Sequence, residues 1–123
     1  MVPGFRIDVS ACPSSVQQIR RSISTWADFL SDDARTDLVL AVSEIVTNSV
    51  RHGPARGRIS IDARRSDGGI RVDVRDDGEP QRLAPREPDD EGGRGLHIVA
   101  AIADTWGVSA DPTCVWFTMR TDG

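Results

Sequence analysis

Residues 44–53 read Glu-Ile-Val-Thr-Asn-Ser-Val-Arg-His-Gly, and this stretch says more about the fold than any other part of the chain. It contains Asn48, the only asparagine among the 123 residues of the protein. Glu44 lies four positions before Asn48, and residues four apart share one face of a helix. A carboxylate can take up a proton, and a carboxamide oxygen can bind a hard cation. The pair therefore indicates a helix face with a chemical role.

This stretch ends the second of two predicted amphipathic helices. Apolar residues at spacings of three and four predict the first helix between Pro13 and Leu30. The second is expected to begin at the Ser-Asp-Asp of residues 31–33, which suits a helix N-terminus, and to stop at Gly53-Pro54. We expect Glu44 and Asn48 to lie beside its apolar stripe rather than within it. The predicted stripe consists of Ala34, Leu38, Ala41, Val42, Ile45 and Ser49.

Alternating apolar and polar residues predict strands on both sides of these helices. The expected strands lie at residues 5–9, 59–63, 70–74, from 108 onwards, and at 115–119. Residues 66–69, Ser-Asp-Gly-Gly, read as a hairpin turn between the second and third strands. One further step of the third strand places Asp76 on its buried face, where a carboxylate needs a hydrogen-bond partner.

The alternation is interrupted by residues 79–94, which hold three prolines and one large aliphatic residue. A loop of this length inside a small domain is usually a lid or a disordered segment. Residues 92–95, Gly-Gly-Arg-Gly, then open a nearly all-apolar helix over 96–103, which we expect to be well buried. The order of elements predicts a single α+β domain over 1–123, a two-layer sandwich with a mixed, mostly antiparallel sheet and helices on one face.

Composition excludes several classes of protein. The formal charge of −4 and the scattered arginines argue against a dedicated nucleic-acid binder. The sequence shows no membrane-spanning apolar run and no signal-peptide pattern, so we expect a cytoplasmic protein without a membrane partner. Cys12 and Cys114 are isolated in the sequence and are expected to be free thiols.

Three separate pieces indicate a nucleotide site. Glycines at 92–95 let the backbone approach phosphates, and the unpaired amides of the helix that follows attract anions. Asp76 could accept a hydrogen bond from the exocyclic amine of adenine, which would satisfy a buried carboxylate. Asn48 could give its side-chain oxygen to Mg²⁺, a cation that prefers oxygen ligands and substrate phosphates.

Taken together, these residues resemble the ATP-binding fold shared by GHKL ATPases and histidine kinases. The resemblance is greatest to the anti-sigma-factor serine/threonine kinase branch. Residues 44–53 are similar to the N box of that branch, residues 72–78 to its first glycine box, and residues 92–96 to its second. The three boxes occur in the right order over nearly the whole chain, and together they are far more specific than any one box.

The resemblance implies a role for each matching residue. Glu44 would be the catalytic base or would orient the attacking hydroxyl or water, and Arg82, Arg86 or Arg94 could supply positive charge to the phosphates. The implied cofactors are ATP and Mg²⁺, with Asn48 as the metal ligand. The implied nucleotide-binding residues are Asn48, Asp76, Gly78, Gly93, Arg94, Gly95 and Leu96.

The implied reaction moves the γ-phosphoryl group of ATP to a serine or threonine of an anti-anti-sigma (STAS-type) partner. A sigma factor as a second partner and a homodimer are further expectations of the resemblance. Pro80 departs from the family pattern, since it replaces the last glycine of the first glycine box. Two alternatives stay open: a non-catalytic, nucleotide-gated protein-binding module, and a detached histidine-kinase catalytic domain that acts in trans.

Overall fold

The computed structural model describes residues 4–52, 57–66, 68–76, 94–110 and 113–120. The order of helices and strands is the predicted one, and a short 3₁₀ turn over Ala27–Phe29 follows the first helix. The elements are β1 Phe5–Ser10, α1 Pro13–Trp26, α2 Asp32–His52, β2 Arg58–Ser66, β3 Gly69–Asp76, α3 Arg94–Ile102, β4 Thr105–Ala110 and β5 Thr113–Arg120.

The five strands form one sheet in the order β1-β2-β3-β5-β4. Each of the four pairings between the described strands is antiparallel. Side chains alternate between the two faces, so that Val72 and Val74 are buried, whereas Arg71 is exposed and Asp73 is only half-buried. The apolar face packs against the helices, and the outer face is polar. The predicted α+β sandwich with helices on one face is confirmed.

The helix α2 is buried over a wider arc than predicted. It begins as expected, because the Ser31 hydroxyl accepts a hydrogen bond of 3.2 Å from the backbone N–H of Ala34. The predicted stripe is buried apart from the half-buried Ala34, but Ser43, Val46 and Asn48 are buried as well. The placement of Asn48 beside the buried surface was therefore wrong. The reason is that α1 and α3 also pack against α2, so a flank that reads as exposed in the sequence is covered.

The helix α3 is less buried than predicted. Val99 is fully buried, but Ala100 and Ala101 are exposed and Ile98 is only half-buried. This helix packs against α2 and β4, and the side facing away from them remains open among the described residues. The prediction that this helix is buried on most sides, which was based on its nearly all-apolar sequence, was therefore too strong.

The strand β4 begins three residues earlier than predicted, at Thr105. Gly107 lies inside the strand and pairs with Trp116 of β5. The strand was predicted to begin only after this residue because glycine weakens the interior of a strand. A Cβ atom on Gly107 would lie 2.8 Å from the indole ring of Trp116. The missing side chain therefore makes room for the tryptophan, and strand pairing continues past the glycine.

The turn between β2 and β3 was predicted correctly. Ser66 pairs with Gly69 across the hairpin, and Gly68 has a φ of 70°, in the left-handed region that glycine adopts without strain. This turn fixes the register of the two central strands. The register in turn places Ile59 of β2 opposite Asp76, at the far end of the hairpin.

Both cysteines are free thiols, as predicted. Hydrogen bonds with the hydroxyls of Ser14 and Ser15 lower the pKa of the half-buried Cys12 thiol. Burial and the nearby Asp73 carboxylate raise the pKa of Cys114. Among the described helices, none is both long and apolar enough to cross a membrane.

Candidate functional site

Asp76 lies at the carboxyl end of β3 on the inward face of the sheet, as the alternation predicts. Its Oδ2 accepts a hydrogen bond of 2.5 Å from the hydroxyl of Ser49 on α2. A hydrogen bond to a carboxylate is shorter and stronger than one between neutral groups, so this contact joins the sheet firmly to the helix. The sequence predicted that Asp76 would need a partner, and Ser49 supplies one within the protein.

Asn48, the residue before Ser49, is also buried but has the opposite hydrogen-bonding state. Its side chain is 4% exposed, and its Oδ1 and Nδ2 find no hydrogen-bond partner in the described structure. A buried, unpaired amide costs roughly 1–3 kcal/mol, so its retention calls for an explanation. An oxygen that is dehydrated and unpaired suits a cation or a polar ligand that arrives later.

Glu44 lies one helical turn before Asn48 and is half-buried, so it can be reached from solvent. The two residues are separated by roughly 6 Å along the axis of α2 and lie on the same side of it. Successive helix residues point about 100° apart, which turns Ser49 away from this pair and toward the sheet. The helix thus presents Glu44 and Asn48 on one flank and the contact with Asp76 on another.

The predicted phosphate-binding segment, residues 92–96, extends into the first turn of α3. Arg94, Gly95 and Leu96 form the first turn of this helix, where backbone N–H groups lack partners within the helix. Because α3 packs against α2, this helix start belongs to the same layer as Glu44 and Asn48. Gly78, Gly93, Pro80 and the predicted lid over 79–93, with Arg82 and Arg86, lie outside the described residues.

Two surface depressions formed by described residues lie elsewhere. One is lined by Arg20, Ser24, Arg35, Thr36, Val39 and Leu40, and the other by Phe5, Arg21, Ser22, Thr25 and Trp26. Neither includes Glu44, Asn48 or Asp76. Glu44 and Asn48 on the second half of α2 and Asp76 at the end of β3 thus lie outside both depressions.

Ser49 is the residue of this region that sequence reasoning placed in the core without assigning it a role. A signal was present, because Ser49 was predicted to face inward from α2 and Asp76 to face inward from β3. The contact joins residues 27 positions apart, so only a correct packing of α2 on β3 could have paired them.

Comparison with known proteins gives one family and one fold. The sequence model of the histidine kinase-like ATPase domain matches residues 9–121. Among solved structures, a histidine kinase of Acinetobacter baumannii, AdeS, superposes with a TM-score of 0.51 at 16% identity, covering 95% of this chain and 68% of that one. At that identity the likeness shows the fold alone. A search of curated proteins gave no match.

Proposed function

The chain belongs to the histidine kinase-like ATPase domain family, and we propose that it is an ATP-dependent serine/threonine protein kinase. In this proposal it transfers the γ-phosphoryl group of ATP to a hydroxyl of a partner protein. The family membership supports ATP as the nucleotide. The choice of hydroxyl rather than histidine as acceptor rests on the resemblance of the three sequence boxes to the anti-sigma-factor kinases.

The observation that carries the proposal is the state of Asn48. Its Oδ1 is buried and unpartnered among the described residues, one turn from a half-buried carboxylate. The donor set fits Mg²⁺, which takes oxygen ligands and binds through few protein groups plus substrate phosphates. Asn48 would hold the ion, and Mg²⁺ would neutralise charge on the β- and γ-phosphate oxygens.

The chain's own residues divide the remaining work. Asp76 would accept a hydrogen bond from the exocyclic amine of adenine, and the amides at the start of α3 would face the phosphates. Glu44 would take the proton of the attacking hydroxyl while the oxygen of that hydroxyl forms a bond to the γ-phosphorus. The bond from the γ-phosphorus to the bridging oxygen breaks, and ADP leaves with the electron pair.

Glu44 favours transfer over simple binding. A module that only binds nucleotide needs groups that contact the nucleobase and the phosphates. A half-buried carboxylate beside the metal ligand contributes to neither contact. A carboxylate near the phosphates weakens binding by repulsion, a cost that an enzyme offsets when the carboxylate acts as the general base and that a simple binding module does not. Its position beside Asn48 therefore supports an enzyme over the non-catalytic, nucleotide-gated module.

The proposed acceptor is a serine or threonine of a STAS-type anti-anti-sigma protein. A sigma factor as a second partner and a homodimer stay predictions of the sequence resemblance. The expected cytoplasmic location also stays a prediction.

The test is transfer of radiolabelled γ-phosphate from ATP to candidate STAS-type proteins, in wild type and Glu44→Gln. We expect acid-stable label on the partner from wild type and about 100- to 10,000-fold slower labelling from the variant. Asp37→Asn is the matched control, because Asp37 is an exposed carboxylate on the same helix.

Three outcomes would contradict the proposal in different ways. Acid-labile label would identify a phosphohistidine and favour the histidine kinase acting in trans. ATP binding with no transfer to any partner would favour the non-catalytic module. Transfer that is unchanged in Glu44→Gln would show that the base is another residue.

A further inference from the structure

Ser49 is the one polar member of the apolar stripe predicted for α2, and its side chain is 2% exposed. A buried hydroxyl lowers stability unless it forms a hydrogen bond, and an alanine here would keep the stripe apolar. The hydroxyl instead donates to Oδ2 of Asp76 at 2.5 Å. The position therefore has a polar role that helix packing alone does not require.

From this contact we infer that Ser49 is a positioning residue for the nucleobase. It holds the Asp76 carboxylate in the orientation in which that group accepts the exocyclic amine of adenine. This inference rests on the proposed function, since it requires Asp76 to face a bound nucleotide. Asp76 is the last residue of β3, and a hydrogen bond from a buried side chain limits the rotamers that its carboxylate can adopt.

The same contact adds to the selectivity of the site for the nucleobase. A serine hydroxyl has one hydrogen, and Ser49 gives it to Asp76, so both side chains present only acceptor lone pairs to a ligand. Adenine carries an amine donor at its 6-position, whereas guanine carries a carbonyl acceptor there. A carbonyl placed against two acceptors loses its hydrogen bond to water and gains none. Ser49 thereby favours 6-aminopurines over 6-oxopurines.

A positioning role for Ser49 and a merely structural role have different consequences for ligand binding. A structural loss on removing the hydroxyl would weaken every nucleoside to a similar extent. Loss of positioning would weaken only ligands whose 6-amine donates to Asp76. Purine riboside, which is adenosine without that amine, is therefore the informative probe.

The experiment titrates adenosine, purine riboside and guanosine into wild type, Ser49→Ala and Ser43→Ala by calorimetry. Ser43 is the matched control because it is buried on the same helix, and its hydroxyl donates only locally, to the carbonyl of Leu40 at 3.1 Å. Thermal unfolding of each variant confirms that the protein is folded at the temperature of the titration.

We expect wild type and Ser43→Ala to bind adenosine about tenfold more tightly than purine riboside, and guanosine more weakly than either. In Ser49→Ala, adenosine affinity should fall about five- to tenfold while purine riboside affinity stays the same. Equal losses for the two nucleosides, or an unchanged adenosine affinity, would overturn the positioning role. A wild type that binds neither adenosine nor ATP would instead overturn the proposed function.

Discussion

Asn48 and Ser49 are neighbours in the sequence and are both buried, yet their polar side-chain groups differ in hydrogen bonding. The Ser49 hydroxyl is bonded to Asp76 at 2.5 Å, whereas neither polar atom of the Asn48 side chain has a partner among the described residues. One residue of helix, about 100° of rotation, separates a satisfied polar contact from an unsatisfied one.

The difference indicates how the site divides its work. The region around Ser49 and Asp76, which we call the base end, is organised by the protein before any ligand binds. The region around Glu44 and Asn48, which we call the phosphate end, keeps an unmet hydrogen-bonding capacity for a ligand to satisfy. Preorganisation reduces the ordering cost of binding, and unmet capacity lowers the stability of the ligand-free protein.

The largest effect we expect comes from Glu44→Gln at the phosphate end. The rate of phosphoryl transfer should fall by about 100- to 10,000-fold, since removing a general base typically has that effect. ATP affinity should change by less than about threefold, because the glutamine keeps the shape of the side chain and removes a negative charge near the phosphates. Single-turnover kinetics and calorimetry measure the two quantities, with Asp37→Asn as the control. Loss of rate and of affinity in equal measure would assign Glu44 to binding instead.

A smaller effect, confined to the base end, is expected from Asp76→Asn. Adenosine affinity should fall about ten- to 100-fold, because the carboxamide replaces a hydrogen bond to a charged acceptor with a weaker one and can turn a donor toward the amine. The Mg²⁺-dependent increase in ATP affinity should persist in this variant. Calorimetry with and without EDTA checks both statements, and loss of the Mg²⁺ effect here would show that the two ends are not separate.

The sharpest contrast between the two ends concerns stability. Asn48→Leu keeps the volume and removes an unpaired amide, so the free energy of unfolding should rise by about 1–2 kcal/mol in the absence of nucleotide. Ser49→Ala removes a hydrogen bond to a carboxylate, so the same quantity should fall by about 1–2 kcal/mol. Urea denaturation of both variants measures these changes. A fall for Asn48→Leu would mean that its amide is satisfied within the ligand-free protein.

The smallest expected quantity is the coupling between the two ends. The double variant Asn48→Ala/Ser49→Ala should lose ATP-binding free energy equal to the sum of the single losses, within about 0.5 kcal/mol. Additivity follows if the two side chains act on different parts of the ligand and share no partner. A coupling above about 1 kcal/mol would show that they act as one unit, although they face different ways.

Local signals made much of the fold predictable. Ser31 marked the start of α2, the Ser-Asp-Gly-Gly turn marked the central hairpin, and alternation placed Asp76 on the inward face. The errors came from packing, which local patterns do not contain. Asn48 was assigned to the edge of the buried surface because the sequence does not show that α1 and α3 both pack against α2. The exposure of Ala100 was missed for the same reason.

The sequence was sufficient to predict which residues belong to the candidate site, but not which of them contact each other. Glu44, Asn48 and Asp76 stand out in the sequence because polar residues interrupt or border apolar patterns. The contact of Ser49 with Asp76 joins two elements that only the fold brings together, and the unpartnered state of Asn48 is visible only once its burial is known. Whether a buried polar group has a hydrogen-bond partner is known only from the packed structure, and this property distinguishes the two ends of the site.

The division between the two ends is tested most directly by comparing adenosine with ATP on Asn48→Ala. The measurement is calorimetric titration of both ligands into wild type and the variant, each with Mg²⁺ and with EDTA. We predict that adenosine affinity is unchanged by the substitution, while the Mg²⁺-dependent increase in ATP affinity seen in wild type disappears. An equal loss of affinity for adenosine and ATP, with the Mg²⁺ effect intact, would contradict the assignment of Asn48 to the phosphate end.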